Sequence, residues 1–485
     1  MTSSGEFAIC TSYYNTPITA YKRRTYVYTN DVISTSVYTA AYDNTTVYSV
    51  GNMYMPPFVV LWQASDLSKF DVDYASSLAA HLTLDFTPTP TAGVTPATAS
   101  PPSRSAPPSA TGSVLFDPSL TNSGLSTGAK AGIGVGAAIG LVNSDAVVNP
   151  LLDNGYLPHP IIRVGIRRQL AERLQSIATT SLEAGYESKM NYVKLLRERP
   201  IAIETAAANE QHYEVGTSVL KGMLGPRMKY SSCLYEKGGE TLAQAEVAMM
   251  RSYVEKAELK DGMSILDLGC GWGSASLYFA EVFPNSKITG FSNSRTQKEY
   301  IDSVAQAKGF KNLQIITGDV VEYEFEPSQY DRVVSIELFE HMKNYQLLLR
   351  KVSTALKPGG KLFVHIFAHR TTPYDFDGGW MTEHFFTGGT MPSADLLLYF
   401  QDDLRVKKQW WVSGLNYSKT CEDWLLCMYK NKDSIWKGLV ETYGEAGALI
   451  WWNRWQVFHL ACSELFKWDG GDTWGVTHYL FEKPE

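Results

Sequence analysis

The sequence is short of charge, of cysteine and of long hydrophobic runs. Charged residues make up 19% of 485 positions and the net charge is −7, so a nucleic-acid partner is not expected. Six cysteines without a close CxxC pair predict neither a disulfide framework nor a metal site. The best membrane candidate, residues 131–142, is far short of the ~20 apolar residues that a span needs. The first residues lack the basic and apolar regions of a secretory signal, which predicts a cytoplasmic protein.

The front of the chain differs in composition from the rest. Residues 1–86 are rich in Thr, Tyr, Val and Ser, and the alternation in "TYVYTNDVISTSVYTAAY" suggests strands. Residues 87–145 read as a linker, because the Pro/Ser/Thr/Ala tract at 87–112 cannot bury a core. In composition this front part resembles fungal surface proteins with a glycosylated stalk, which implies partial disorder.

A single α/β domain is predicted for residues 146–485. "MSILDLGCGWGSASLYFAEVF" has the pattern of a strand, a glycine-rich turn and a helix, and the alternation continues to "KLFVHIF". Alternation of this kind predicts a parallel sheet with helices on both faces. Ligands of such sheets bind beyond the carboxyl ends of the strands. The charged stretch "SIELFEH", residues 335–341, follows the strand "YDRVV" and is therefore expected to face the ligand.

The turn "LDLGCGWG" is the strongest local signal. Gly269, Gly271 and Gly273 would let the backbone turn tightly and let a ligand approach closely. Their GxGxG spacing differs from the GxGxxG of dinucleotide folds, and the acidic Asp267 stands two positions before the first glycine. This combination resembles the S-adenosylmethionine site of class I methyltransferases.

The next two strands end in polar residues that suit the same cofactor. "TGFSNSRTQ" offers Asn293 and Gln297 in place of the usual ribose-binding acid, although Ser294 and Gln297 also fit a helix capping box. "GDV" offers Asp319 and Val320. Asp319 can accept a hydrogen bond from an adenine amino group, or it can cap a helix.

Four long motifs carry a resemblance to one family. They are "QHYEVGTSVLKGMLGPRMKYSSCLYEKGGETLAQAEVAMM", "ILDLGCGWGS", "SIELFEHMKNYQ" and "HFFTGGTMPSADLLLYFQDDL". They resemble coclaurine N-methyltransferase-like enzymes of the cyclopropane-fatty-acid-synthase group, over roughly residues 150–485. The resemblance implies a Rossmann-like class I methyltransferase sheet at about 229–370, helical elements before it, and an aromatic lid and substrate region at 371–485. It also implies S-adenosylmethionine as cofactor and a small hydrophobic amine as substrate.

The resemblance and the motifs together assign site residues. Those expected to touch the cofactor are Tyr230, Ser231, Asp267, Gly269, Gly271, Gly273, Asn293, Gln297, Asp319 and Val320. The catalytic positions are Glu337, Glu340 and His341. Glu214 matches a carboxylate that can face a cationic substrate, and a lid is expected from Trp380, Phe385 and Phe386.

Two departures separate the branches of this group. Cyclopropane synthases carry "YSC", whose cysteine helps to hold a bicarbonate base, and counting from Tyr230 this chain has Ser232 there. The synthases also carry a small residue where Glu337 stands. Both departures favour the amine branch, whereas His365 has a counterpart in the synthases and does not discriminate.

An alkylamine has a pKa of about 10 and must lose a proton before it can attack a methyl group. His341 is the natural base, since its ordinary pKa is about 6.5. Glu340 could orient His341 or meet the substrate directly. If a helical turn starts here, Glu337 and His341 share a face and would attract and deprotonate a cation. The alternative is a solvated first helical turn.

Two other features leave alternatives open. The helix predicted at 161–177 has an apolar stripe and Arg163, Arg167 and Arg173 elsewhere, so it either docks on its own domain or lies on an anionic membrane. The second case would suit a lipid-modifying synthase, and a third alternative is a glycosylated surface protein with an idle methyltransferase domain. Tryptophans near the C-terminus form either a cation-binding wall or ordinary core: Trp410, Trp411, Trp424, Trp436, Trp451, Trp452 and Trp455.

Overall fold

The structure, a computed structural model, describes residues 24–29, 35–40, 145–203 and 216–485. The chain divides into two units, residues 1–143 and 144–485. In the first unit, strands β1 (Arg24–Thr29) and β2 (Thr35–Ala40) pair in antiparallel fashion, within the stretch whose alternation suggests strands. The tract at 87–112 lies outside the described residues.

Helices open the second unit and then alternate with strands. The first helices are α1 (Asp145–Asp153), α2 (His159–Ser176), α3 (Leu182–Glu198), α4 (Thr217–Met223) and α5 (Leu242–Lys256). The alternating part comprises β3 (Ser264–Leu268), α6 (Ser274–Val282), β4 (Lys287–Ser292), α7 (Arg295–Lys308), β5 (Leu313–Thr317), β6 (Tyr330–Ile336), α8 (Tyr345–Ala355) and β7 (Leu356–His369). The remaining elements are β8 (Tyr374–Asp375), α9 (Trp380–His384), β9 (Thr390–Met391), β10 (Arg405–Val412), α10 (Gly414–Lys430), α11 (Lys432–Lys467) and β11 (Trp474–Glu482).

Seven strands form one twisted layer in the order β10-β11-β7-β6-β3-β4-β5. The pairs from β5 to β7 are parallel, and β11 pairs antiparallel with both β7 and β10. The predicted parallel α/β sheet is therefore confirmed. The order reverses at β3, and the carboxyl ends of β3, β4 and β6 meet at that switch point, where ligands of such sheets bind.

The two faces of the sheet bury separate hydrophobic cores. Strand β7 shows the division, because alternate side chains point to opposite faces. Leu362 and Val364 belong to a core with α3 and α8, whereas Phe363 and Phe367 belong to a core with α5 and α6. Helices therefore cover both faces, as predicted. A third core, formed by α4, α10 and α11, holds most of the C-terminal tryptophans.

Helix α2 docks on its own domain. Ile162 and Ile166 pack against the core of α10 and α11. Arg163 donates to Glu464 at 2.8 Å and also pairs with Glu422, while Arg167 reaches the same Glu464 at 3.1 Å. Because the protein's own carboxylates pair with these arginines, the docking alternative accounts for the helix.

The described residues give two further outcomes. No helix within 145–203 or 216–485 has both the length and the apolar character to cross a bilayer. The cysteines in these ranges are all free thiols, as expected: Cys233, Cys270, Cys421, Cys427 and Cys462. The compartment predicted from the sequence stays a prediction.

Candidate active site

A cavity lies at the switch point of the sheet. It is lined by Met228, Tyr230, Ser231, Asp267, Gly269, Cys270, Gly271, Trp272, Ser274, Ala275, Gln297, Ile336, Glu337, His341, Phe367, Phe386, Tyr417 and Phe458. Several predicted residues are thus brought together from the segment before α5, the turn after β3, helix α7 and the stretch after β6. These segments are distant in sequence and meet because β3 and β6 are neighbours in the sheet.

The glycine turn between β3 and α6 serves both packing and access. Gly273 has φ +77°, and a Cβ built there would come within 2.6 Å of Ile301, so this glycine lets helix and turn pack closely. Gly271 has φ +52°, and a Cβ there would meet no protein atom within 4 Å. Since Gly271 lines the cavity, that open space is where a ligand can approach the backbone.

Two buried polar side chains face the cavity beside this turn. Asp267 accepts a hydrogen bond from Ser276 Oγ at 2.6 Å, and burial raises its pKa to about 6. Gln297 Oε1 accepts from Ser292 Oγ at 2.6 Å, while its Nε2 has no partner among the described residues. Ser294 caps α7 through the Gln297 backbone amide, so the side chain of Gln297 is left to face the cavity. An unpartnered buried N–H donor and an open glycine turn fit a polar cofactor such as S-adenosylmethionine.

Other predicted cofactor residues lie at the same edge of the sheet without lining the cavity. Asn293 is exposed just after β4, and Val320 is buried. Asp319 follows β5 and accepts from the Val321 backbone amide at 2.8 Å, so it caps a turn and no α-helix begins there. Their contact with the cofactor stays a prediction.

Glu337 is held at the cavity by three donors. Its Oε1 accepts from the Ser232 backbone amide at 3.0 Å and lies 3.0 Å from His365 Nε2, and its Oε2 accepts from the Tyr417 hydroxyl at 2.6 Å. Its backbone has φ +49°, which is uncommon for a residue with a side chain. Burial raises the pKa of Glu337, whereas the nearby Lys229 ammonium and the Tyr417 hydroxyl lower it. The carboxylate is thus bound on both oxygens and still borders open space.

His341 borders the same space with a neutral ring. Burial lowers its pKa to about 4, although Glu337 opposes that shift. The ring stacks on Phe386 with centroids 5.0 Å apart and planes at 22°. The conditional helical turn is not what brings the two groups together: Glu337 precedes a 3₁₀ turn at Phe339–His341, and α8 begins only at Tyr345.

Glu340 is placed differently. It is fully buried, and its Oε1 accepts from the Phe367 backbone amide at 2.9 Å. Its Oε2 has no hydrogen-bond partner in the described part of the chain. Burial and the neighbouring Glu337 raise its pKa well above the ordinary value. Glu340 does not line the cavity, but it positions Phe367, which does.

The predicted substrate residues are only partly placed. Glu214 lies outside the described residues. Phe385 is fully buried and stacks on Phe458 at 4.5 Å, and Trp380 packs against Phe385 at 5.5 Å. It is the next residue, Phe386, that reaches the cavity. Trp380 and Phe385 therefore support the lining from behind, and a direct substrate contact stays a prediction for both.

The aromatic lining includes the predicted Tyr230 and Phe386, but other members were not singled out from the sequence as contacts. None of the seven C-terminal tryptophans lines the cavity, and Trp424 and Trp455 are nearly fully buried core. The lining aromatic side chains include Trp272, Tyr417 and Phe458. Trp272 stands inside the glycine motif and could have been found there, whereas Tyr417 and Phe458 have no local signal.

Comparisons with known proteins agree with this architecture. The sequence profile "Mycolic acid cyclopropane synthetase" matches residues 202–474. (S)-coclaurine N-methyltransferase of Thalictrum flavum subsp. glaucum is 39% identical over 342 residues, which cover 68% of this chain and 94% of that protein. The chain belongs to the mycolic acid cyclopropane synthetase family.

Two further comparisons involve one protein from each branch of that family. A crystal structure of coclaurine N-methyltransferase bound to N-methylheliamine and SAH superposes with a TM-score of 0.67 at 37% identity, covering 69% of this chain and 99% of that chain. The cyclopropane-fatty-acyl-phospholipid synthase of Escherichia coli (strain K12) is 29% identical over 270 residues, 55% of this chain and 66% of that protein. The predicted fold and the assignment to the S-adenosylmethionine-dependent methyltransferases are confirmed.

Proposed function

We propose that this chain transfers a methyl group from S-adenosylmethionine to the nitrogen of a small hydrophobic amine, as the coclaurine N-methyltransferases it resembles do by name. The observation that carries the proposal is the Glu337 carboxylate, which borders the same cavity as the open glycine turn. An anion fixed beside aromatic side chains attracts a hydrophobic cation, because both charge and π faces favour it.

The cofactor side of the cavity would be formed by the glycine turn, Asp267, Gln297, Tyr230 and Ser231. When bound, S-adenosylmethionine would supply an electrophilic methyl group on a sulfonium. The backbone around Gly271 would take the close approach, and Gln297 Nε2 would donate to the ligand. Asn293, Asp319 and Val320 would extend this side along the ends of β4 and β5.

The amine side would position the nitrogen and remove its proton. Glu337 holds the incoming ammonium by its charge, and the neutral His341 ring accepts the proton that must leave before nitrogen can attack. Because the pKa of His341 is lowered to about 4, the base form is present throughout the neutral range. Glu340 either positions Phe367 by accepting from its backbone amide, or takes part in the proton transfer itself, because its raised pKa favours the protonated carboxyl group.

The alternative of a lipid-modifying synthase is disfavoured by one contact. The synthases carry a cysteine at the position of Ser232 and a small residue at that of Glu337, and here the Ser232 amide donates to the Glu337 carboxylate. The Glu337 departure therefore places a protein carboxylate in the site, bound by the backbone of the segment in which the synthases carry their cysteine. In the basic helix α2, moreover, Arg163 and Arg167 pair with carboxylates of the domain itself.

The domain limits are part of the proposal. Residues 144–485 form the second unit and hold every predicted site residue, so we expect this unit alone to catalyse methyl transfer. Residues 1–86 and the linker at 87–145 would then have a separate role. A surface protein with an idle domain would not be expected to keep the donors that hold Glu337.

Labelled S-adenosylmethionine tests the reaction directly. The purified full-length chain would be incubated with labelled cofactor and, in parallel, with hydrophobic cyclic amines or with phospholipid vesicles containing unsaturated acyl chains and bicarbonate. We expect label in an amine and none in lipid. Label in lipid that depends on bicarbonate would establish the synthase alternative, and no transfer to any acceptor would favour an idle domain.

A further inference from the structure

A buried chain of polar groups connects Glu337 with the surface of the domain. Glu337 Oε1 lies 3.0 Å from His365 Nε2, and His365 Nδ1 lies 2.9 Å from His478 Nε2. His478 Nδ1 in turn lies 2.8 Å from Lys256 Nζ. Each step is within hydrogen-bond distance, so the four groups form one continuous series.

The fold places these groups with little freedom. His365 on β7 and His478 on β11 are direct partners in the antiparallel register, so their side chains share a face of the sheet. Both histidines are fully buried, with 0% of their surface exposed. Lys256, in the last turn of α5, is half-buried, and its ammonium lies 5.5 Å from the centre of the Trp410 ring. The series therefore runs from the cavity to a cation at the protein surface.

With Lys256 as an ammonium and Glu337 as a carboxylate, one arrangement of protons satisfies every contact in the series. A lysine ammonium can only donate, and a carboxylate can only accept. Each neutral imidazole has one donor and one acceptor nitrogen. Lys256 therefore donates to His478 Nδ1, His478 Nε2–H donates to His365 Nδ1, and His365 Nε2–H donates to Glu337. All the donors point from the surface towards the cavity.

Neighbouring groups are compatible with this order. The Tyr253 hydroxyl lies 3.0 Å from the same His365 Nδ1, so this hydroxyl and His478 Nε2–H share the single lone pair of that nitrogen. Burial lowers the pKa of both histidines well below the ordinary value, which keeps them neutral. Other charged or titratable groups near Glu337 in the described residues are Lys229, His341, Glu340, Tyr417, Tyr253, Cys233 and Cys421.

We propose that Lys256 sets the charge of Glu337 through His478 and His365, so that Lys256 and His478 are positioning residues for a cationic substrate. Without the ammonium, both histidines can carry their proton on Nδ1. The lone pair of His365 Nε2 would then face Glu337. The carboxylate would lose its donor and would protonate more readily. Burial lowers the pKa of Lys256 to about 8, so the ammonium is present at neutral pH and is lost above it. The inference rests on the proposed function only where it concerns the amine.

The test uses a cation whose charge does not depend on pH. Benzyltrimethylammonium binding to the full chain, saturated with S-adenosylhomocysteine, would be measured by calorimetry from pH 5 to pH 9. In the wild type, affinity should fall on the acid side as Glu337 protonates. In Lys256→Met that fall should move to higher pH by about one unit. At a given pH within the acid part of the profile, the variant should therefore bind the cation about tenfold more weakly than the wild type.

Matched variants separate this effect from a general loss of structure. Lys256→Arg keeps a donor and should restore the wild-type profile. Lys260→Met removes an exposed charge four positions away and should leave the profile unchanged. S-adenosylhomocysteine affinity should stay within about twofold in all three variants. A uniform loss of affinity with no shift along the pH axis, or an equal shift in Lys260→Met, would overturn the proposal.

Histidine tautomers give a readout that does not need the amine. In the ¹⁵N-histidine spectrum of the full chain, assigned with single-histidine variants, His365 and His478 should both carry the proton on Nε2. Lys256→Met should add the Nδ1–H form at His478. A wild-type His365 protonated on Nδ1 would overturn the relay even if amines are methylated. If benzyltrimethylammonium fails to bind the wild type, the proposed function is contradicted and the tautomers still decide the relay.

Discussion

The two sides of the cavity are built by different means. The cofactor side centres on backbone, namely one turn of five residues between β3 and α6 whose glycines open it to a ligand, and polar side chains such as Asp267 and Gln297 flank that turn. The amine side is made of groups from four separate segments: the side chains of Glu337, His365 and Tyr417 and the backbone amide of Ser232, which together span almost 190 positions of the chain. A local motif can specify the first kind of site, whereas only the complete fold assembles the second.

Gly271→Val should have the largest effect, because it blocks the cofactor side of the cavity and leaves the amine side unchanged. A branched side chain would occupy the open space in front of the turn and exclude the cofactor, so binding of S-adenosylmethionine should be lost in calorimetry. Gly309→Val is the matched control: Gly309 also has a positive φ, of +71°, and open space around it, but it lies at the end of α7. Both variants should lose about 1–2 kcal/mol of stability from the left-handed backbone. Wild-type cofactor affinity in Gly271→Val would mean that the turn is structural only.

His341→Ala should have the next largest effect, and it should leave the cofactor side of the cavity unchanged. We expect kcat to fall by about 10²-fold or more while cofactor affinity is retained. The defect should shrink as pH rises towards the pKa of the amine, because free amine then arrives without the extra proton. Since the pKa of His341 lies near 4, the wild-type profile should show no loss of base above about pH 5. Parallel pH–rate profiles for the two proteins would exclude the general-base role.

Glu337→Gln should have a smaller effect, chiefly on KM. The amide keeps the shape of the side chain but removes the charge, so KM for a cationic amine should rise about tenfold, which corresponds to roughly 1.4 kcal/mol. Glu340→Gln is the comparison, because it makes the same change three positions away in a side chain that does not line the cavity. Its amide oxygen can still accept from the Phe367 backbone, so steady-state kinetics should show KM within a few-fold of wild type. A larger loss of kcat in Glu340→Gln than in His341→Ala would make Glu340 the base.

Removal of the front of the chain should have no effect on either side of the cavity. Residues 144–485 expressed alone should fold and keep kcat/KM within about twofold of the full chain. The start at Ser144 preserves α1, where Asp153 pairs with Arg454 at 2.8 Å. Limited proteolysis of the full chain should cut first within 87–112. A folded but inactive fragment, beside an active full chain, would show that the front part contributes to the reaction.

The same contrast explains what could be predicted from the sequence. The strand, turn and helix around Gly271 are read from a local pattern, and so is the placement of Glu337 after a buried strand. The sequence also predicts Phe385 and Phe386 as lid residues, and in the structure Phe385 is core whereas Phe386 faces the cavity. Which of two adjacent phenylalanines faces the cavity cannot be predicted without the packing of α11 against this segment.

Contacts across long sequence distances could not be predicted at all. Tyr417 lies 80 positions from Glu337, and His478 lies 113 from His365. Nothing in "GLNYSKT" or "GVTHYLF" marks either residue, since a tyrosine in a helix and a histidine in a strand are common. Their roles arise from the position of β11 beside β7 and of α10 beside the cavity, which is a property of the sheet order.

The most direct test that the cofactor side and the amine side of the cavity are separate is the affinity of Glu337→Gln for two ligands, measured by calorimetry on one preparation. S-adenosylhomocysteine is titrated first, and benzyltrimethylammonium follows with the cofactor product at saturation. Our account predicts an affinity for S-adenosylhomocysteine within about twofold of wild type and an affinity for the cation at least about tenfold weaker, or roughly 1.4 kcal/mol. Equal weakening of both ligands, or an unchanged affinity for the cation, would contradict it.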